Sequence, residues 1–151
     1  MKTITSLSIN QTKEIARRLS SGLKEKDVLG LVGDLGSGKT TFIKGLASGL
    51  GIKEERVISP SFVLIREYKG RIPLYHFDLY RLNYIEEFEL LDYKRYFYGD
   101  GITCIEWAEK IEDFLPDSCL RIKFEIIDKD KRDITFYSKD NYLKRIIKGL
   151  R

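Results

Sequence analysis

One segment constrains this chain more than any other: Gly33-Asp34-Leu35-Gly36-Ser37-Gly38-Lys39-Thr40. It fits the pattern G-x-x-x-x-G-K-[ST]. The run VLGLV at 28–32 precedes it, and a continuous apolar run of that length reads as a strand buried on both faces. Thr40 to Leu50 reads as a helix that Gly51 closes. Strand, glycine-rich turn, helix is the opening of an α/β unit.

The chemistry explains the spacing. Backbone N–H groups that curl around a diphosphate need angles and close approaches that glycine tolerates best. The helix that follows points its positive end at the same anion. The backbone from Asp34 through Leu35, Gly36, Ser37 and Gly38, with Lys39, Thr40 and Thr41 at the helix start, is therefore the predicted nucleotide cradle. Lys39 supplies a mobile charge between the β- and γ-phosphates, and the Thr40 hydroxyl is placed to ligate Mg²⁺.

Such a loop needs an acid for the metal and a group to orient the attacking water or acceptor. Two acids end apolar runs, Glu106 after ITCI and Asp78 after IPLYHF. Parallel strands deliver their carboxyl ends to one crevice. Glu106 is assigned to magnesium and Asp78 to positioning water or the metal's hydration shell, with the two roles exchangeable. Lys39, Asp78 and Glu106 form the expected catalytic set. Ser59-Pro60-Ser61 is either a γ-phosphate-sensing switch or a plain turn. His76 is the only histidine and is either packed or catalytic. Arg81 has three candidate partners: phosphate, Asp78 or the acidic segment that follows. Trp107 is either core or an exposed anchor for a partner.

The rest of the chain reads as follows. Residues 2–7 form a strand, and Ser8 with Gln11 makes a capping box for a helix carrying Ile15, Ala16 and Leu19. Residues 62–69 and 72–77 form a hairpin around Gly70-Arg71. Asn83 and Glu86 cap a short helix with Tyr84, Phe88 and Leu91 on its inner side. A helical turn at 108–115 ends at Pro116, strands at 120–127 and 133–138 flank DKDKR, and an amphipathic helix spans 140–150. The expected fold is a single α/β domain over 1–151, with a mixed, mostly parallel sheet flanked by helices.

With 151 residues and a charge of +4, the chain is the size of one ordinary domain and only mildly basic. The charge is uneven. Glu86, Glu87, Glu89 and Asp92 form an acidic segment, while Lys144, Arg145, Lys148 and Arg151 make a basic tail; both are candidate docking or RNA-facing surfaces. Cys104 and Cys119 show neither C-x-x-C spacing nor a histidine cluster and read as buried thiols. No apolar run approaches the roughly 20 residues that span a bilayer. The N-terminus has no apolar leader, so the expected location is the cytoplasm without membrane contact.

Four motifs then fall in order: GDLGSGKTTF at 33–42, SPSF at 59–62, HFDLYR at 76–81 and IEW at 105–107. Together they resemble the TsaE (formerly YjeE) family of bacterial P-loop ATPases over residues 1 to about 137. The resemblance implies ATP with Mg²⁺ held by Thr40 and Glu106, and slow hydrolysis. It also implies service to tRNA threonylcarbamoyladenosine modification through the transferase TsaD and its companion TsaB, with tRNA itself an open contact. It brings Thr12 and Arg132 in as residues near the nucleotide. Ser61 departs from the family's usual S-P-T, keeping the hydroxyl and losing a methyl.

The rival reading is a small nucleoside or nucleotide kinase, because Asp78-Leu79-Tyr80-Arg81 resembles an acid–arginine acceptor motif. No arginine-rich lid follows the glycine loop to support it. A GTPase is excluded because no N-K-x-D base-reading motif occurs.

Overall fold

The computed structural model describes residues 1–59 and 62–151. Seven strands form one sheet: β1 (Lys2–Ser6), β2 (Val28–Val32), β3 (Ile65–Tyr68), β4 (Leu74–Asp78), β5 (Ile102–Glu106), β6 (Leu120–Ile126) and β7 (Arg132–Tyr137). Their spatial order is β1-β7-β6-β2-β5-β4-β3. The four central strands, β6, β2, β5 and β4, run parallel. Antiparallel pairings add β7 and β1 at one edge and β3 at the other. The sheet is thus mixed, with a parallel core.

The alternation of side chains sorts the sheet into two packed faces. On one face, Leu29, Leu31, Leu74, Ile102, Cys104, Ile122, Phe124, Ile134 and Phe136 join residues of α1 (Ile9–Ser20), α2 (Lys39–Gly49) and the C-terminal α5 (Asn141–Gly149). On the other, Val28, Phe77 and Ile105 meet α3 (Ile85–Glu89), α4 (Tyr93–Phe97) and a 3₁₀ segment at Ala108–Phe114. Ser8 caps α1, its hydroxyl accepting from the Gln11 N–H, while the Gln11 side chain accepts from the Leu7 N–H. The capping box therefore reaches one residue further back than its usual form. Tyr142, Ile146 and Leu150 dock α5 as its amphipathic pattern predicts, and Asp140 caps it.

Three local expectations change. Residues 62–64 are a turn: Phe62 and Val63 are exposed and Leu64 takes φ +68°, so β3 starts only at Ile65. Asn83 does not cap α3; the cap position is Tyr84, which makes no side-chain capping bond and is exposed. α4 and a short 3₁₀ turn at Glu54–Arg56 lie where no helix was expected. Both are too short to show a 3.6-residue period. Among the described residues no helix is long and apolar enough to cross a membrane.

Candidate active site

The parallel core brings three strand ends to one edge. β2 runs into the glycine loop, while β4 ends at Asp78 and β5 at Glu106. Glu106 lies in register with Leu31 of β2 on one side and with Asp78 of β4 on the other. The two acids are therefore neighbours on adjacent strands, on the face that α2 covers.

The loop has the backbone its glycines permit. Gly38 takes φ +106° immediately before α2. A methyl there would also lie 2.7 Å from the Arg132 guanidinium, so Gly38 serves both the turn and a close approach. Gly36 takes φ +78°, and Leu35 sits exposed at the loop tip. Ser37 is buried, and its N–H closes a turn on the Asp34 carbonyl at 3.1 Å.

Lys39 is only 4% exposed. Its ammonium donates to the carbonyls of Gly33 and, at 2.9 Å, Asp34, and lies 4.2 Å above the Trp107 ring. Burial pulls its pKa below the ordinary lysine value, and the carboxylates of Glu106, Glu109, Asp78 and Asp34 pull back the other way. Trp107 takes φ +63°, a left-handed conformation that sets its ring between Lys39 and Tyr80. It is half-buried, packs against the core on the α3 side of the sheet and lines the cleft described below.

The acids are equally well held. Thr40 Oγ1 donates to Glu106 Oε1 at 2.8 Å, and His76 Nε2 lies 2.6 Å from Glu106 Oε2. Asp78 Oδ1 accepts the Tyr80 N–H at 3.0 Å, and its Oδ2 accepts from the Ser59 hydroxyl. Of the expected switch, Ser59 thus touches Asp78; Pro60 and Ser61 lie outside the described residues. Arg81 stacks over the Phe62 ring, its guanidinium 4.2 Å from the ring centre.

A cleft of about 400 Å³ gathers most of these groups. Leu35, Gly36, Gly38, Lys39, Thr40, Thr41, Ser59, Asp78, Glu106 and Arg132 line it, joined by Ile9, Tyr80 and Trp107. A larger depression of about 620 Å³ opens on the other side of Trp107 and takes in Asp34 and Ser37, but it contains none of Thr40, Asp78 and Glu106. The smaller cleft is the one that brings Lys39, Thr40, Asp78 and Glu106 together. Thr12 is not part of it: its side chain is buried, and its hydroxyl pairs with Ser6 Oγ at 2.7 Å. Ile9, on the opening turn of the same helix, reaches the cleft instead.

Sequence reasoning passed over Ile9 and Tyr80 and left His76 undecided. Strand alternation held a signal for His76, since it shares a face with Asp78 two residues on. Nothing local marks Ile9, an exposed apolar residue at a helix start.

Two hard oxygen donors on adjacent elements, Thr40 Oγ1 and Glu106 Oε1, are what a magnesium ion takes from a protein when phosphates and water complete its shell. Among the described residues no group of three or more His, Cys, Asp or Glu is placed to hold a metal ion by itself. A glycine loop at the start of a helix, a buried lysine and two strand-end acids make an arrangement suited to phosphoryl chemistry.

A family model described as threonylcarbamoyl adenosine biosynthesis protein TsaE matches residues 6–134. The chain belongs to the TsaE family. A tRNA threonylcarbamoyladenosine biosynthesis protein TsaE from Bacillus subtilis (strain 168) is 44% identical over 142 residues, covering 93% of this chain and 87% of the relative. The TsaE of Treponema pallidum (strain Nichols) is 43% identical over 113 residues, covering 75% and 83%. The crystal structure of the Bacillus subtilis protein YdiB superposes with a TM-score of 0.83 at 38% identity, over 97% of this chain and 91% of that one. Membership places the chain among the threonylcarbamoyladenosine biosynthesis proteins. In this TsaE chain, α5 lies beyond the stretch that the family model matches.

Proposed function

We propose that this chain is an ATPase of tRNA threonylcarbamoyladenosine biosynthesis that binds ATP with Mg²⁺ in the 400 Å³ cleft and acts on TsaD and TsaB. The observation that carries the reading is the pairing of Thr40 Oγ1 with Glu106 Oε1 at 2.8 Å, beside a buried Lys39 at the start of α2. A hydroxyl and a carboxylate that meet across 66 residues of sequence have a plain use as joint metal ligands.

The residues divide the work. The N–H groups of the glycine loop bind the phosphates, aided by the positive end of α2. Lys39 exchanges the carbonyls of Gly33 and Asp34 for phosphate oxygens, which are stronger acceptors for a buried ammonium. Thr40 and Glu106 hold the metal, whose charge offsets that of the phosphates. Asp78, fixed by the Tyr80 N–H and the Ser59 hydroxyl, orients water from the adjoining strand. Ile9 and Arg132 line the cleft beyond the loop, where the nucleoside extends.

The test is phosphate release from ATP. Lys39→Ala and Glu106→Ala each lower turnover by about 10²-fold or more, the usual loss when one electrostatic stabiliser is removed. Unchanged turnover in both variants overturns the assignment, and stoichiometric phosphorylation of a nucleoside converts it to a kinase. Co-purification with TsaD and TsaB, with and without ATP, tests the partners.

A further inference from the structure

We propose that His76 is a positioning residue: its Nε2–H holds one oxygen of Glu106 so that the other stays directed at Thr40 and the metal. The inference rests on the nucleotide reading above and deepens it.

His76 is fully buried and Glu106 is 3% exposed. His76 pairs in register with Cys104, two residues before Glu106 on β5, so the two side chains are diagonal neighbours on one face of a parallel pair. The contact is 2.6 Å. A carboxylate only accepts, so Nε2 carries the proton in this bond. Glu106 is thereby divided, with Oε2 committed to β4 through His76 and Oε1 to α2 through Thr40. A side chain with one oxygen pinned this way cannot rotate about its last bond.

The other ring nitrogen decides between positioning and mere packing. His76 Nδ1 is the one buried side-chain nitrogen or oxygen without a hydrogen-bond partner among the described residues. Buried polar atoms are normally satisfied, and an orphan is costly. Leucine would fill a site flanked by Leu74, Ile102 and Cys104 without an orphaned nitrogen, but it would leave Glu106 Oε2 without this donor. The imidazole therefore earns its place through Nε2 alone. Groups that orient metal ligands typically change metal affinity about 10- to 100-fold when removed.

The experiment measures binding of a fluorescent ATP analogue to the full chain, in EDTA and across a MgCl₂ titration, with folding checked by circular dichroism. His76→Leu should leave binding in EDTA little changed and raise the Mg²⁺ concentration for half-effect about 10- to 100-fold. His76→Gln keeps an N–H donor at similar reach and should restore most of the response. In a Glu106→Ala background, His76→Leu should add no further loss, because the two act through one contact. A folded His76→Leu with the wild-type Mg²⁺ response overturns the proposal. So does a folded His76→Gln as defective as leucine, since that marks a packing role; this variant decides the matter if His76→Leu does not fold. A wild-type chain whose nucleotide binding ignores Mg²⁺ overturns the magnesium reading of the cleft, and the role of His76 with it.

Discussion

Gly45→Ala is the sharpest test of how α2 is held. Gly45 lies in the middle of α2, where a methyl would sit 2.4 Å from the Lys13 carbonyl oxygen and 2.6 Å from the Lys13 Cα of α1. Ordinary contact begins near 3.4 Å, so the helices must part by about 1 Å, and the obstacle is backbone, which cannot swing aside. A gap of that size forfeits a quarter to a half of each dispersion contact along the seam, which includes Ile15, Ala16, Leu19, Ile43 and Leu46. Overpacking of this kind costs about 1–3 kcal/mol, and alanine's better helix propensity returns about 0.5–1 kcal/mol. The midpoints of the two ranges leave a net loss of about 1 kcal/mol, or roughly 2–4 °C in Tm for a chain this long. Thermal melting, with the urea midpoint as a second measure, reads the change. Gly149→Ala is the control: it lies at the end of α5 with nothing within 4 Å, and it should leave Tm unchanged or slightly raised. A Gly45→Ala protein as stable as wild type would refute the reasoning. Because α2 begins with Lys39 and Thr40, the same variant should also weaken nucleotide binding.

Two further outcomes follow from buried titratable groups. Burial raises the Asp27 pKa above 3.8, against the pull of the Lys24 N–H and ammonium, and Asp140 adds to the rise. The folded state thus holds this proton more tightly, and the group's favourable contribution, full below pH 3.8, is lost as pH rises through the raised value. Asp27→Asn keeps an acceptor for the Lys24 N–H, so it should stabilise the chain at pH 7 by an amount that shrinks toward pH 4; a gain independent of pH in urea titrations would contradict this. Both cysteines are buried, and burial pushes the Cys119 thiol up to about 12 and Cys104 higher still. Neither should react with a thiol reagent in the native protein, and both should react in guanidinium; fast labelling at neutral pH would be the contrary result.

The glycine loop, Lys39 and Thr40 were legible in the sequence because their geometry is local: eight consecutive residues set the turn and the helix start. Strand alternation likewise set the faces of Asp78 and Glu106. The same hydrophobic pattern misled at residues 62–64, where Phe62 and Val63 look like strand but the left-handed backbone at Leu64 breaks it. It also gave no sign that Thr12 turns inward to Ser6.

What the residues determined by themselves is the glycine loop, the helix start after it and the strand-end acids. Only the tertiary structure decided which groups meet. The order β6-β2-β5-β4 seats Glu106 beside Thr40, Asp78 beside Glu106 and His76 against the far oxygen of that carboxylate, while β7 returns Arg132 over Gly38. Periodicity says which face a side chain takes, because that depends on its own strand. It does not name the neighbouring strand, because pairing depends on the connections between strands and on their handed crossovers, which bring together residues far apart in sequence.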